Sequence, residues 1–547
     1  MRPLSDTGNE WWRGAVIYQI YPRSFQDTSG DGVGDLKGIR SRLGHVADLG
    51  ADAIWISPFF TSPMKDFGYD VADYRDVDPV FGTLGDFDAL LEEAHRLKLR
   101  VIIDQVYSHT SDRHPWFRES RGSRDSEKAD WYVWADPKPD GSPPNNWQSV
   151  FVGPAWTWDA RREQYYQHNF LAAQPDLNLH NPAVQEALLD VARFWLRRGV
   201  DGFRLDAINH GMHDPRLRDN PRAKPAFFAT SRPYLMQEAR YTMNHPDMPA
   251  LLERFRRVTD AFGEIFTVAE VGSGDPLPIQ KAYTADAKRL NSAYGFEFLG
   301  MPDLTADSVR HVLGRWNGDA GEGWPCWAFS NHDAPRVVSR WRRHPDPAHR
   351  ARLFALLLAT LRGSVMVYQG EELGLPQADV PFDRIQDPEA KNNWPQTLGR
   401  DGARTPMPWR RDDSFGGFSG TEPWLPSPAE HRALAVDTQG DDPDSTLSFF
   451  RRALGLRRAS DALRTGDLRF LEGAGDLLAF HRRSAEGSAF CAFNLTDREI
   501  RWSAPETGPV DRQLAVGCEP VDGRCPGTMP PGSGYVGVWS DPDGVAS

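Results

Sequence analysis

Four short apolar runs in this chain end in residues that can move protons or hold charge. "VIIDQVYSH" carries Asp104 and His109, and "GFRLDA" carries Arg204 and Asp206. "FTVAEV" carries Glu270, and "CWAFSNHD" carries Asn331, His332 and Asp333. Side chains alternate along a strand, so Arg204 and Asp206 share one face while Phe203 and Leu205 take the other. A guanidinium beside a carboxylate keeps that carboxylate ionised, as a nucleophile requires. Glycoside hydrolysis needs one ionised carboxylate and one protonated carboxyl across the scissile bond. Metal-dependent hydrolysis would use His and Asp as ligands, but His109 and His332 lack the H-x-H or H-E-x-x-H spacing that favours a metal. Any one of these acids could be a structural ion pair at a rim. Four acids with basic partners at successive strand ends argue for a site.

A second stretch, "DTSGDGVGDLKG" from Asp27 to Gly38, has the spacing of a calcium loop. Asp27, Ser29, Asp31 and Asp35 fall at positions 1, 3, 5 and 9, the Val33 carbonyl at 7 and a glycine at 6. Position 12, a bidentate Glu in an EF-hand, is Gly38. A turn-rich loop without metal would use the same residues.

The elements that carry these residues are β-branched runs, each followed by a helical pattern. They start at Ala15, Ala51, Arg100, Gly202, Phe266, Pro325 and Ser364, with a weaker eighth near "SAYGFEFL". Continuous apolar strands alternating with helices predict a parallel sheet covered on both faces. Eight such units predict an α/β fold of the (β/α)8 TIM-barrel type. "NPAVQEALLDVARFWLRRG" shows one unit: Asn181 as N-cap, Pro182 in the first turn, apolar residues at helical spacing and Gly199 as the stop. The barrel is expected over 1–109 and 181–464. An inserted subdomain is expected at 110–180, too long for an ordinary βα loop. A long insertion within the barrel domain follows the last strand at 370–426. The rhythm then changes to short strands between turns, predicting a C-terminal antiparallel β domain at 465–547.

At 547 residues the chain is long enough for two or three domains. Its net charge of −13 disfavours nucleic acid as a partner. No apolar run reaches the roughly 18 residues of a membrane span, and the N-terminus has no apolar signal region. Four Cys residues match neither a zinc site nor a disulfide framework, so free thiols in a cytoplasmic protein are expected. Cys518 and Cys525 are the one pair that could join in an oxidising compartment. The 19 Trp residues suit either core packing or stacking on sugar faces.

Together, "DQVYSH", "GFRLDAIN", "AEVGS" and "FSNHD" resemble the four signature regions of the α-amylase superfamily, glycoside hydrolase family 13. "SFQDTSGDGVGDLKGI", "SPMKDFGYDVADY" and "GRDGARTPMPW" resemble its α-glucosidase and oligo-1,6-glucosidase branch. The resemblance covers nearly the whole chain and is weakest in the last ~80 residues. It implies Asp206 as nucleophile, Glu270 as general acid and base, and Asp333 as stabiliser of the transition state. It implies His109, Arg204 and His332 as hydroxyl-binding and orienting partners, and Asp66 and Tyr69 as residues closing the pocket around the non-reducing glucose. Arg400 matches an arginine facing that glucose, with Arg404 close by. A pocket closed in this way implies an exo-acting α-glucosidase on small α-glucosides such as maltose or sucrose. In this family Val at the position of Ala207 goes with α-1,6 linkages, and Ala or Thr with α-1,4. The resemblance also implies one structural Ca2+ or Mg2+ on Asp27, Ser29, Asp31, Val33 and Asp35, and no organic cofactor. A monomer or homodimer is expected. Two alternatives share the fold: a mainly transglycosylating enzyme, and an inactive scaffold or transporter subunit. The latter would lack the three acids and carry a membrane span.

Overall fold

A computed structural model of the chain describes residues 10–224, 232–272, 274–316, 323–395, 397–505 and 508–540. Eight parallel strands close a barrel in chain order: β1 (Val16–Ile20), β2 (Ala53–Ile56), β3 (Arg100–Val106), β4 (Gly202–Asp206), β5 (Phe266–Val271), β6 (Ser292–Gly295), β7 (Trp324–Ala328) and β8 (Ser364–Tyr368). β8 pairs with β1, with Val365 opposite Val16. The weakest of the eight runs is therefore a true strand, four residues long.

Alternation decides what fills the barrel. Ile17, Trp55, Ile102, Val268 and Met366 point inward and form one buried cluster. Phe203, Leu205, Ile54, Ile103 and Val365 point outward into the larger core between sheet and helices. Each strand is thus buried on both faces, which explains the unbroken apolar runs. The helix Pro182–Arg198 starts where Asn181 accepts the Ala183 N–H and stops at Gly199, whose φ of 102° is left-handed. That stop feeds directly into β4 and fixes where Asp206 emerges.

The segment after β3 carries a three-stranded antiparallel sheet, with Gln164–Gln167 between Trp134–Ala135 and Trp156–Asp159. The chain ends in a five-stranded antiparallel sheet. Leu477–Arg483, Gly487–Asn494 and Gly534–Ser540 lie where short strands are expected, and Asp467–Phe470 and Arg512–Val516 extend the sheet at its two edges. The four cysteines are free. Among the described residues no helix is long and apolar enough to cross a membrane.

Candidate active site

The site is built on one buried cation. Arg204 is fully buried in β4. Its Nη1 donates to Asp206 Oδ1 at 2.6 Å and to Asp104 Oδ1 at 2.9 Å. Its Nη2 lies 2.6 Å from Glu270 Oε2 and donates to the Tyr294 hydroxyl at 3.0 Å. The Tyr294 hydroxyl in turn donates to Glu270 Oε1 at 3.2 Å. Three carboxyl groups from β3, β4 and β5 therefore converge on a single guanidinium.

One positive charge does not balance three negative ones in a buried cluster, so the cluster retains a proton. Burial pushes Glu270 up to about 7, against the pull of Arg204. Burial also raises Asp206 to about 7, again opposed by Arg204, so the proton is shared within the cluster. Asp333 behaves differently. Burial alone would raise it, yet His332, Arg404 and Arg400 hold its carboxyl well below the usual carboxylate range. Arg404 Nη2 donates to Asp333 Oδ1 at 2.6 Å.

His332 is oriented from both sides. Gln19 Nε2 donates to its Nδ1 at 2.7 Å, so the ring proton sits on Nε2. Nε2 then faces the Tyr69 hydroxyl at 2.7 Å and Asp333 Oδ2 at 3.2 Å. Burial pushes His332 down to about 3 and His109 down to about 4, so both are neutral donors near pH 7. His109 Nε2 donates to the Tyr69 carbonyl at 3.0 Å.

A cavity of about 1090 Å³ opens onto these groups, with Asp66, Tyr69, His109, Asp206, Glu270, Asp333 and Arg400 on its walls. Arg204, His332 and Arg404 lie behind those walls. The sequence left Arg400 and Arg404 as competing choices, and the structure separates them. Arg400 lies on the wall, where its Nη2 donates to Asp66 Oδ1 at 2.8 Å and to Asp387 Oδ1 at 2.7 Å. Arg404 supports Asp333 from beneath and also donates to the His332 carbonyl at 2.8 Å.

Sequence reasoning did not single out Gln174, Asp387 or Tyr294. Gln174 Nε2 donates to Asp66 Oδ2 at 3.2 Å, linking the segment after β3 to the pocket end. Burial would raise Asp387, but Arg400 brings it down to about 2. The Asp387–Pro388 pair signals a helix start, and nothing in the sequence ties it to Arg400. The segment between β4 and the helix Met248–Asp260 supplies a further wall through Asn209, His210, Tyr234 and Asn244. No Trp is among the described cavity-lining residues. The aromatic walls come from Tyr69, Phe151, Phe170, Tyr234 and Phe296.

Ala207 follows Asp206 on the cavity wall in a left-handed conformation, with φ 38° and ψ 35°. The turn aims the Ala207 N–H at Glu270 Oε2, 3.2 Å away.

In the Asp27 loop, Asp27 accepts the Gly30 and Gly32 N–H groups at 2.7 and 2.9 Å and the Ser419 hydroxyl at 2.6 Å. Ser29 Oγ lies 3.1 Å from Asp27 Oδ1, and Asp31 accepts the Val33 N–H at 2.9 Å. Asp35 caps the helix Leu36–Leu49, taking the Gly38 N–H at 2.7 Å and the Thr28 N–H at 2.7 Å. A Cβ at Gly38 would meet the Gln26 carbonyl at 2.0 Å, so a twelfth-position Glu has no room. The hard oxygens of Asp27, Ser29, Asp31 and the Val33 carbonyl fit Ca2+ or Mg2+ in kind. Asp35 offers the same hard oxygens while also capping the helix end.

A closed barrel whose strand ends gather paired carboxyl groups around one guanidinium defines a glycoside hydrolase of the barrel type. The α-amylase catalytic domain matches residues 19–466, and the chain belongs to the α-amylase family. It is 56% identical over 509 residues to a probable alpha-glucosidase of Rhizobium meliloti (strain 1021), covering 92% of each chain. It is 37% identical to an oligo-1,6-glucosidase of Heyndrickxia coagulans, covering 91% of this chain and 94% of the relative. Among solved structures, the alpha-glucosyl transfer enzyme XgtA superposes with a TM-score of 0.91 at 50% identity, over 97% of this chain and 99% of that one.

Proposed function

We propose that the chain is a retaining, exo-acting α-glucosidase that releases glucose from the non-reducing end of short α-glucosides. The observation that carries this reading is the Arg204 guanidinium held between Asp206 and Glu270. Two carboxyl groups on one cation fit the short separation of retaining enzymes, about 5–5.5 Å. Asp206, bonded directly to Arg204, is the group that attacks the anomeric carbon. Glu270 keeps the cluster's proton, gives it to the leaving oxygen, and then takes one from the water that releases glucose. Asp333, ionised by its arginines, faces the positive charge that builds on the sugar ring. The Asp66–Arg400 ion pair, backed by Asp387, supports a pocket closed beyond the terminal glucose. The small Ala207 beside Asp206 supports α-1,4 over α-1,6 linkages, because it leaves room for the second sugar. Four free thiols support a reducing, cytoplasmic location.

A proton NMR time course on maltose, isomaltose and sucrose tests the reading. The first glucose from maltose is the α-anomer, since two inversions retain configuration. Maltose is consumed faster than isomaltose. β-Glucose appearing first overturns the retaining mechanism, and faster isomaltose turnover overturns the linkage preference. A second reading, transfer of glucose to another hydroxyl instead of water, draws on the likeness to XgtA. Glucosyl products exceeding free glucose in the same time course support it.

We further propose that one Ca2+ or Mg2+ braces the Asp27 loop through Asp27, Ser29, Asp31, the Val33 carbonyl and Asp35. An ion that binds only the folded chain adds stability by mass action. Chelator therefore lowers the melting temperature, and Asp31→Ala does the same. Activity per folded molecule is unchanged at low temperature. An unchanged melting curve, with no Ca2+ or Mg2+ found by elemental analysis, rules the ion out.

A further inference from the structure

We propose a second metal site, separate from the catalytic carboxylates, in which His180, His245 and Asp247 take a zinc-class cation. Their ligating atoms all lie within 4.8 Å of one another, and no other group of three or more His, Cys, Asp or Glu does so among the described residues. Three features make the cluster more than proximity. His180 Nε2 donates to the His213 carbonyl at 2.8 Å, which leaves its Nδ1 as a free lone pair. A metal-binding histidine is commonly oriented in this way, with its second nitrogen tied to a backbone carbonyl. The rings of His180 and His245 meet edge to face at 4.9 Å between centroids and 82° between planes. His245 Nδ1 lies 3.7 Å from Asp247 Oδ2, close to the ligand-to-ligand spacing of roughly 3.3–3.5 Å that follows from tetrahedral Zn–N and Zn–O bonds. The 3.3 Å contact from the Asp247 N–H to His245 Nδ1 is long and easily given up. Two imidazoles and one carboxylate favour Zn2+ over Ca2+ or Mg2+, which want oxygen ligands throughout. The Asp247 side chain is 69% exposed, so water can complete the coordination.

The position gives the site a purpose. His180 comes just before the helix Pro182–Arg198, whereas His245 and Asp247 close the segment that runs from β4 to the helix Met248–Asp260. That segment carries the cavity residues Asn209, His210, Met243 and Asn244. A cation here staples one wall of the cavity to the barrel without touching the reacting atoms.

The test uses the full chain, stripped with chelator and titrated with ZnCl2, CaCl2 or MgCl2. Zn2+ raises the melting temperature of the native chain by about 2 °C or more and is retained at one ion per chain. His245→Gln and Asp247→Asn each remove the Zn2+ response. Asp247→Asn keeps side-chain volume at an exposed position and therefore the fold, and any Ca2+ or Mg2+ response from the Asp27 loop persists in both variants. Zn2+ also slows amide exchange in the peptides spanning 208–216 and 241–248. A native chain that Zn2+ does not stabilise, or variants that Zn2+ stabilises as much as it does the native chain, overturns the site.

Discussion

Asp206→Asn yields a folded protein that no longer turns over maltose, with kcat/KM lower by on the order of 10⁴-fold or more, the scale of removing a nucleophile. The side chains are nearly isosteric, and the Asn carbonyl oxygen can still accept from Arg204 Nη1, which sits 2.6 Å from Asp206 Oδ1 in the native chain. The fold is therefore kept and the attacking charge is lost. One carboxylate fewer around Arg204 also lessens the charge crowding that raises Glu270. Kinetics on maltose beside a melting curve separate the two effects. Near-native turnover by the folded variant sinks the assignment of Asp206 as nucleophile.

Glu270→Gln lowers maltose turnover by about 10²–10⁴-fold, the scale of general acid catalysis. A glucose alkoxide leaves poorly without a proton. A nitrophenyl glucoside carries a leaving group that needs little such help, so its first step is spared. The pH profile adds a readout that mere damage to the fold would not produce. In the native enzyme the working form of Glu270 is protonated, and burial pushes its carboxyl up to about 7. Maltose kcat/KM therefore falls as pH rises through about 7. In the Gln variant, which has no proton to lose, that alkaline fall disappears from the residual maltose activity. An alkaline limb that persists unchanged in the variant assigns it to another group and removes Glu270 from the acid role.

Much of this architecture could be read from the chain because strands buried on both faces leave unbroken apolar runs, and polar residues at their ends then stand out. Asp104, Arg204, Asp206 and Glu270 are all marked in that way. The support behind them was harder to read. Arg400 and Asp66 are 334 residues apart, and no local pattern forecasts their ion pair. Gln174 comes from an irregular stretch, and Tyr294 lies on the shortest-signalled strand, so neither had a period to betray it. Asp35 carries a second role that the spacing of a metal loop did not announce: it also caps the helix that starts one residue on. The edge strand Arg512–Val516 is mostly exposed or half-buried, which weakens the apolar signal that exposes its neighbours.

The left-handed backbone at Ala207 couples two properties that selection would otherwise tune separately. Non-glycine residues seldom adopt a positive φ, and for a β-branched side chain it is an outlier. On the proposed role of residue 207, a Val here crowds the second sugar and also strains the turn that points the 207 N–H at Glu270. Any library built at this position is thus filtered by foldability before it is ever filtered by substrate. A lineage moving between linkage preferences through residue 207 has to reshape this turn or gain stability elsewhere first. The order in which such changes can accumulate is therefore constrained by one dihedral angle.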